Sequence, residues 1–197
     1  MFETTHLLPH LDELSEKMWT LISIDPEFCL QLRQSAKQRL EHQLFRQAEL
    51  ALNKKIISEI RNDQIFWLDE KTDSKTPAEE KILHNLQALQ SELKTNLRVF
   101  LDSFECHYAF YDKGHFYKKH RDTTSHNNKR IFSFVIYLNP NWQPEDGGQL
   151  VGYQADGEVS FEIRPELGHL LLFRSDLEHE VKPTTRERLS LTGWFRQ

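Results

Sequence analysis

Hydrophobic positions follow two different periods along this chain, and the change falls near residue 103. Before it, apolar residues recur every three to four positions, the spacing of one helix face. Leu7, Leu8, Leu11 and Leu14 lie this way in HLLPHLDELSEKM. WTLISI, Trp19 to Ile24, is β-branched and aromatic enough for a strand. Asp25-Pro26-Glu27 offers a cap, a first-turn proline and an early acid, and predicts a helix running into the forties. Thr76-Pro77-Ala78-Glu79 has the form of a capping box, and the helix it opens carries Ile82, Leu83, Leu86, Leu89, Leu93, Leu97 and Phe100. Between the two, EIRNDQIFWLDE mixes turn residues with an apolar tip and reads as an ordered loop with short strands. DEKTDSKTPAEE is polar throughout.

After residue 103 short segments of β character follow one another: FECHYAFY, HFYKKH, RIFSFVIYL, GQLVGY, VSFEI, HLLLF, EHEV and LSLTGWF. Turn formers separate them at Asp112-Lys113-Gly114, Asn139-Pro140-Asn141, Glu145-Asp146-Gly147-Gly148 and Ala155-Asp156-Gly157. Eight short strands with tight turns predict a double-sheet jelly roll or a barrel. Helices first and strands second make the class α+β. The expected organisation is one domain over residues 1–197, with mainly helical support in 1–102 and a jelly-roll core in 103–197.

Composition narrows the setting. The chain is 38% hydrophobic, and no apolar run approaches the length of a membrane span. Its N-terminus lacks a charged-then-apolar signal pattern. Two cysteines, Cys29 and Cys106, form no disulfide framework and read as small buried apolar residues, so a reducing cytoplasm is the expected location. A net charge of −5 argues against a nucleic-acid partner.

The candidate chemistry starts in HFYKKHRD, His115 to Asp122. On a strand, residues two apart point the same way, so His120 and Asp122 can offer an imidazole and a carboxylate to one ion. The same spacing at His10 and Asp12 lies in the helical half, away from other ligands, and reads as a solvated helix end. A third ligand must come from elsewhere. His126 lies in a loop of turn formers and His169 begins an apolar strand, whereas His179 sits in SDLEHEVKP ahead of a strand-anchoring valine. Two histidines and a carboxylate leave half of an octahedral ion open, which suits non-haem Fe(II). Zinc competes, but no HExxH element accompanies the site.

Nine residues beyond His179 stands Arg188, sharing one strand face with Ser190, Thr192 and Trp194. An arginine facing a barrel interior is costly without an anion. A dicarboxylate co-substrate with one end on the metal would supply that anion, and Tyr137, alternating with Val135 and Ser133, could add a hydroxyl. Taken alone, Arg188 reads as a surface arginine on an edge strand; the joint occurrence with the histidines and aspartate favours the anion site.

FYDKGHFYKKHRD, FSFVIYLNPNWQPEDGGQL and LLLFRSDLEHEVKPTTRERLSLTGWF together resemble the core of the iron- and 2-oxoglutarate-dependent dioxygenases, in the prolyl 4-hydroxylase-like branch with the hypoxia-sensing prolyl hydroxylases and their bacterial relatives. The resemblance runs from about Phe104 to Phe195. It implies His120, Asp122 and His179 as iron ligands. It implies Arg188 on the distal carboxylate of 2-oxoglutarate, with Tyr137 assisting and Tyr111 near the metal-binding end. Thr192 and Trp194 fall on pocket-lining positions, and alternation adds Val135 and Val181. EIRNDQIFWLDE is similar to the branch's finger loop, here about residues 53–70, in which Arg61 and Asp63 would organise the loop and Trp67 would pack on the core or the substrate. On spacing alone, a surface ion pair and a core tryptophan explain these three equally well. With Asp122 intact, the halogenating variants of the fold are not expected. The tract Asp112 to Gly114 is shorter than in the oxygen-sensing members, whose regulatory segments are also missing, which implies a minimal bacterial-type enzyme.

The resemblance therefore implies Fe(II), 2-oxoglutarate and O2, with ascorbate as an auxiliary reductant. The expected reaction couples oxidative decarboxylation of 2-oxoglutarate to hydroxylation of a prolyl residue in a partner protein, elongation factor Tu being the first candidate. Two other readings stand beside it: hydroxylation of a free amino acid or small metabolite, and a binding module that kept the fold and lost turnover. Six apolar residues, Ile56, Ile57, Ile60, Ile65, Phe66 and Trp67, crowd the finger loop and need a surface to cover, either the core or a bound polypeptide.

Overall fold

The computed structural model describes residues 4–48, 59–123 and 128–197. The first helix, α1 (Thr4–Lys17), buries Leu7, Leu11 and Leu14, whereas Leu8 is exposed and falls off the predicted face. Strand β1 (Trp19–Ser23) follows, and Asp25 then caps α2 (Pro26–Glu41) by accepting from the Glu27 amide. After β2 (Arg46–Gln47) and β3 (Gln64–Leu68), Thr76 and Glu79 close the expected capping box on α3 (Pro77–Leu97). That helix stops at Leu97 because Arg98 takes a left-handed conformation. Phe100 is consequently 64% exposed and not part of the helix stripe.

Eight strands complete the chain: β4 (Ser103–Tyr111), β5 (Tyr117–His120), β6 (Arg130–Tyr137), β7 (Leu150–Tyr153), β8 (Val159–Ile163), β9 (His169–Arg174), β10 (Glu178–Val181) and β11 (Arg188–Arg196). They form a jelly roll. One sheet runs β1-β9-β6-β11-β4-β3-β2 and the other β5-β10-β7-β8, so each layer takes four of the eight. The strands expected at Trp19 and inside the finger-loop segment extend the larger sheet at its two edges, because β1 pairs with β9 and β3 with β4. The helical half thus also builds part of the sheet.

The outer face of the larger sheet carries Tyr108, Phe134, Leu172 and Leu191, all buried, and packs on Leu32, Leu86 and Leu89 from the helices. Its inner face turns toward the smaller sheet and encloses a cavity of about 790 Å³. Register fixes what lines it. Leu171, Val135, Thr192, His107 and Trp67 stand directly opposite one another across five strands, a single cross-strand row. Tyr137, Ser190, Ala109 and Ile65 form the next such row, and Arg188 faces Tyr111 beyond it. Cys29 and Cys106 are both free and buried in the helix-side core. No described helix is long and apolar enough to cross a membrane.

Candidate functional site

The smaller sheet brings two distant histidines face to face. His179 on β10 is the direct antiparallel partner of His120 at the end of β5, and their rings lie 4.3 Å apart. Asp122, two residues beyond His120, reaches both. Its Oδ1 lies 3.7 Å from His120 Nε2 and its Oδ2 3.6 Å from His179 Nε2. Among the described residues this is the one group of three or more such side chains close enough to hold an ion, with ligand atoms within 4.8 Å of one another.

The surroundings orient all three groups. His120 Nδ1 is 2.7 Å from the Lys118 carbonyl and His179 Nδ1 is 2.9 Å from the Leu177 carbonyl, which fixes Nδ1 as the donor in both rings. Both Nε2 lone pairs are then free to meet a cation. Ser133 donates to Asp122 Oδ2 at 2.6 Å. Tyr117 stacks on His120 at 3.5 Å, and Phe173 meets His179 edge-on at 4.9 Å. Burial, with help from His179, pushes the His120 imidazole down to about 3, so it stays neutral. For Asp122, burial works the other way, but His179, His120 and the Ser133 hydroxyl outweigh it and hold the carboxyl at about 2. Two imidazoles around a carboxylate, their ligand atoms within 4.8 Å of one another, are a donor set that fits a divalent metal ion.

Arg188 lies at another part of the same cavity and is 1% exposed. Its Nε donates to the Gly148 carbonyl at 2.9 Å, and its Nη1 reaches Ser190 Oγ at 3.5 Å. Nη2 is buried without a partner, and so is the Tyr137 hydroxyl. The guanidinium carbon stands 5.0 Å from the Tyr111 ring and 5.6 Å from the Tyr137 ring. Burial pushes both phenols far above their ordinary range, leaving them neutral hydrogen-bond donors. The Gly147-Gly148 turn permits this arrangement. Both glycines have positive φ, and a Cβ on Gly148 would come 3.1 Å from Arg188 Cδ. A buried cation with an open donor, flanked by two phenols, fits the carboxylate of a small diacid.

The third wall comes from β3, β4 and β11. Arg61 and Asp63 form a bidentate pair at 2.7 and 2.6 Å, with Asp63 fully buried, so they are no ordinary surface pair. Arg61 also lies over the Tyr117 ring at 4.3 Å, linking this segment to the ring that backs His120. Trp67 is 45% exposed and lines the cavity beside His107 and Trp194, which excludes a core role. Of the other finger-loop residues, Phe66 packs on the main core and Ile65 against Ala109, Tyr111 and Val181. Ile56, Ile57 and the rest of 53–58 lie outside the described residues.

The cavity therefore brings together His120, Asp122, His179, Arg188, Tyr111, Val135, Val181, Thr192, Trp194, Arg61, Asp63 and Trp67. Tyr137 sits behind its wall with Val135 and Leu150. Thr192 donates to the Phe134 carbonyl at 2.9 Å, so it presents its methyl side and no free hydroxyl hydrogen. His169 stands at a strand end, with Nδ1 3.4 Å from the Glu166 carbonyl, and His10 pairs with Thr20 at 2.9 Å. His126 lies outside the described residues. Sequence reasoning passes over His107, Arg130 and Phe173, which also line the cavity, and the role of Ser133 behind Asp122; Ser190, read there as sharing the Arg188 face, lines it too.

Three comparisons place this geometry among known proteins. The profile of the 2OG-Fe(II) oxygenase superfamily matches residues 106–196. A PKHD-type hydroxylase of Idiomarina loihiensis is 35% identical over 86 residues, which is 43% of this chain and only 38% of that relative. A crystal structure of a Pseudomonas putida prolyl-4-hydroxylase superposes with a TM-score of 0.88 at 34% identity, covering 97% of this chain and 99% of that one. A Trichoplax adhaerens prolyl hydroxylase, in complex with a hypoxia-inducible-factor oxygen degradation domain peptide, gives a TM-score of 0.88 at 27% identity, with 98% and 90% covered. With a near full-length relative above 30% identity, the chain belongs to the 2OG-Fe(II) oxygenase superfamily, as a prolyl-hydroxylase-like member.

Proposed function

We propose that this protein is a prolyl hydroxylase acting on a polypeptide, with His120, Asp122 and His179 as the iron ligands and Arg188 as the co-substrate anchor. The observation that carries the co-substrate role is the unpaired Nη2 of a fully buried guanidinium in the same cavity as the ligand triad. Bound iron(II) and 2-oxoglutarate supply the oxidising chemistry, converting O2 and the oxoacid to succinate, carbon dioxide and one oxygen atom inserted into a C–H bond. The chain's own residues bind, orient and shield. Arg188 offers an open charged donor to the distal carboxylate, and Tyr137, whose ring stands 5.6 Å from the guanidinium with its hydroxyl unpaired, would assist from behind it. Tyr111 covers the guanidinium. Val135, Val181, Thr192 and Leu150 give the cavity an apolar lining that excludes water from the reacting centre.

Substrate class rests on the side walled by Trp67, Trp194, Arg61 and Asp63. These residues line the cavity, and the exposure of Trp67 there supports an extended chain lying across this side. The Trichoplax relative, bound to a peptide, supports the same reading. A cytoplasmic location suits two buried free thiols, and ascorbate would serve only to keep the iron reduced. Elongation factor Tu is the first partner to test. Incubated with iron(II), 2-oxoglutarate and the partner, the enzyme should add one oxygen to a proline, read by peptide mass spectrometry with matching succinate. Free L-proline consumed as fast as any polypeptide would favour a metabolite hydroxylase, and absence of turnover with every substrate would favour a binding module.

A further inference from the structure

His107 has no role in holding the metal or the co-substrate, yet it is 3% exposed and lines the cavity. Its Nδ1 is buried without any hydrogen-bond partner. A polar atom so placed is rare in a folded protein and points to something that pairs with it in the working state. The ring is held firmly. Trp67 flanks it at 4.7 Å and Trp194 at 5.4 Å.

Position along the sheet separates this residue from the co-substrate. His107 and Tyr111 are on the same face of β4, four residues apart, or roughly 13 Å at strand rise. Arg188 is opposite Tyr111, whereas His107 is opposite Thr192 and Trp67. The co-substrate anchor and His107 thus belong to different ends of the cavity. Charge narrows the ligand further. The two arginines whose charges act on this ring are both matched, Arg61 by Asp63 and Arg130 by Glu105 at 2.8 Å. Burial, then Arg61 and Arg130, push the His107 imidazole down to about 3 against the pull of Asp122, so it stays neutral. A neutral ring with one donor and one acceptor matches a neutral amide, and it brings no charge to hold a free carboxylate or ammonium.

We propose that His107 is a substrate-positioning residue, hydrogen-bonding a backbone amide of the bound polypeptide while Trp67 and Trp194 flank it. The inference rests on the polypeptide reading and sharpens it, because it makes peptide amides, and not the charges of an amino acid, the feature recognised on this wall.

The test uses protein loaded with Mn(II) and 2-oxoglutarate and two probes, the blocked peptide acetyl-Ala-Ala-Pro-Ala-Ala-amide and free L-proline. Peptide binding should move the His107 ring 15N resonances, whereas L-proline should leave them in place. His107→Phe keeps a ring between the tryptophans and should weaken peptide binding roughly three- to tenfold, the range of one neutral hydrogen bond. His107→Gln should recover most of that loss. With iron(II), the peptide KM should rise in the Phe variant with kcat within about twofold, and 2-oxoglutarate affinity should be retained. Equal peptide affinity in wild type and His107→Phe would overturn the role of His107 alone. A wild-type protein that binds only L-proline, or neither probe, would overturn the polypeptide reading and this inference with it.

Discussion

Arg188 is buried in the cavity wall with a guanidinium nitrogen unpaired, while Arg61 and Arg130, which line the same cavity, each meet a carboxylate. All three cations stand over aromatic rings, yet of the three only Arg188 has a buried guanidinium Nη without a partner. A buried unpaired charge is a standing cost to the fold, tolerated where a ligand ion completes it. Paired cations shape and stiffen a wall without selecting an anion. The contrast sets the proposed co-substrate anchor apart from the paired arginines and predicts that their variants fail in different assays.

The largest effects should come from the metal group, common to both ends. His179→Ala leaves two ligands, and we expect loss of turnover with metal affinity down on the order of 100-fold or more, measured by Mn(II) titration. His10→Ala should bind metal as wild type does. Next, Asp63→Ala strands the Arg61 charge against Tyr117 and should destabilise the fold by about 3 kcal/mol in urea unfolding, as in other broken buried pairs. Loss of under about 1 kcal/mol would show that the pair behaves as a surface one.

Arg188→Met should act in the reverse direction. By replacing an unpaired buried charge with an apolar chain it should stabilise the ligand-free protein by about 1–3 kcal/mol while removing the co-substrate site. Thermal unfolding without ligand checks this, and a lower Tm would show that the guanidinium's bonds to Gly148 and Ser190 outweigh its burial. The smallest effect belongs to Ser133→Ala, which removes the 2.6 Å hydrogen bond to Asp122. Metal affinity should fall about tenfold, the lower end for residues that orient ligands, with 2-oxoglutarate specificity intact.

What was legible in the sequence was whatever a strand's two-residue period encodes. His120 with Asp122, and Arg188 with Thr192 and Trp194, lie at even spacings on single strands, so their common face could be read directly. The capping box at Thr76 and Glu79 is local and was equally readable. The partners of these residues were not, because cross-strand register is long-range. His107 meets Trp67 and Thr192 only through the pairing of β4 with β3 and β11. Its even spacing from Tyr111 in FECHYAFY was the one available signal. Ser133 alternates visibly with Val135 and Tyr137, but its bond to Asp122 depends on where the chain returns after residue 120. The helix stripe failed at Phe100 for a backbone reason, the left-handed turn at Arg98, which periodicity cannot show.

The claim that the open charge of Arg188 selects the co-substrate is tested most directly by pairing a variant with a truncated ligand. 2-Oxovalerate has the chain length of 2-oxoglutarate and a methyl group in place of the distal carboxylate. Calorimetry on the Mn(II)-loaded protein should show wild type preferring 2-oxoglutarate by roughly 10- to 100-fold, the range for a charged hydrogen-bonded contact. Arg188→Ala should bind the two acids almost equally with metal affinity unchanged, and Arg188→Lys should fall between, since a point charge replaces a planar fork. If Arg188→Ala kept the wild-type preference, the distal carboxylate would be held elsewhere and the assignment of this end of the cavity would be wrong.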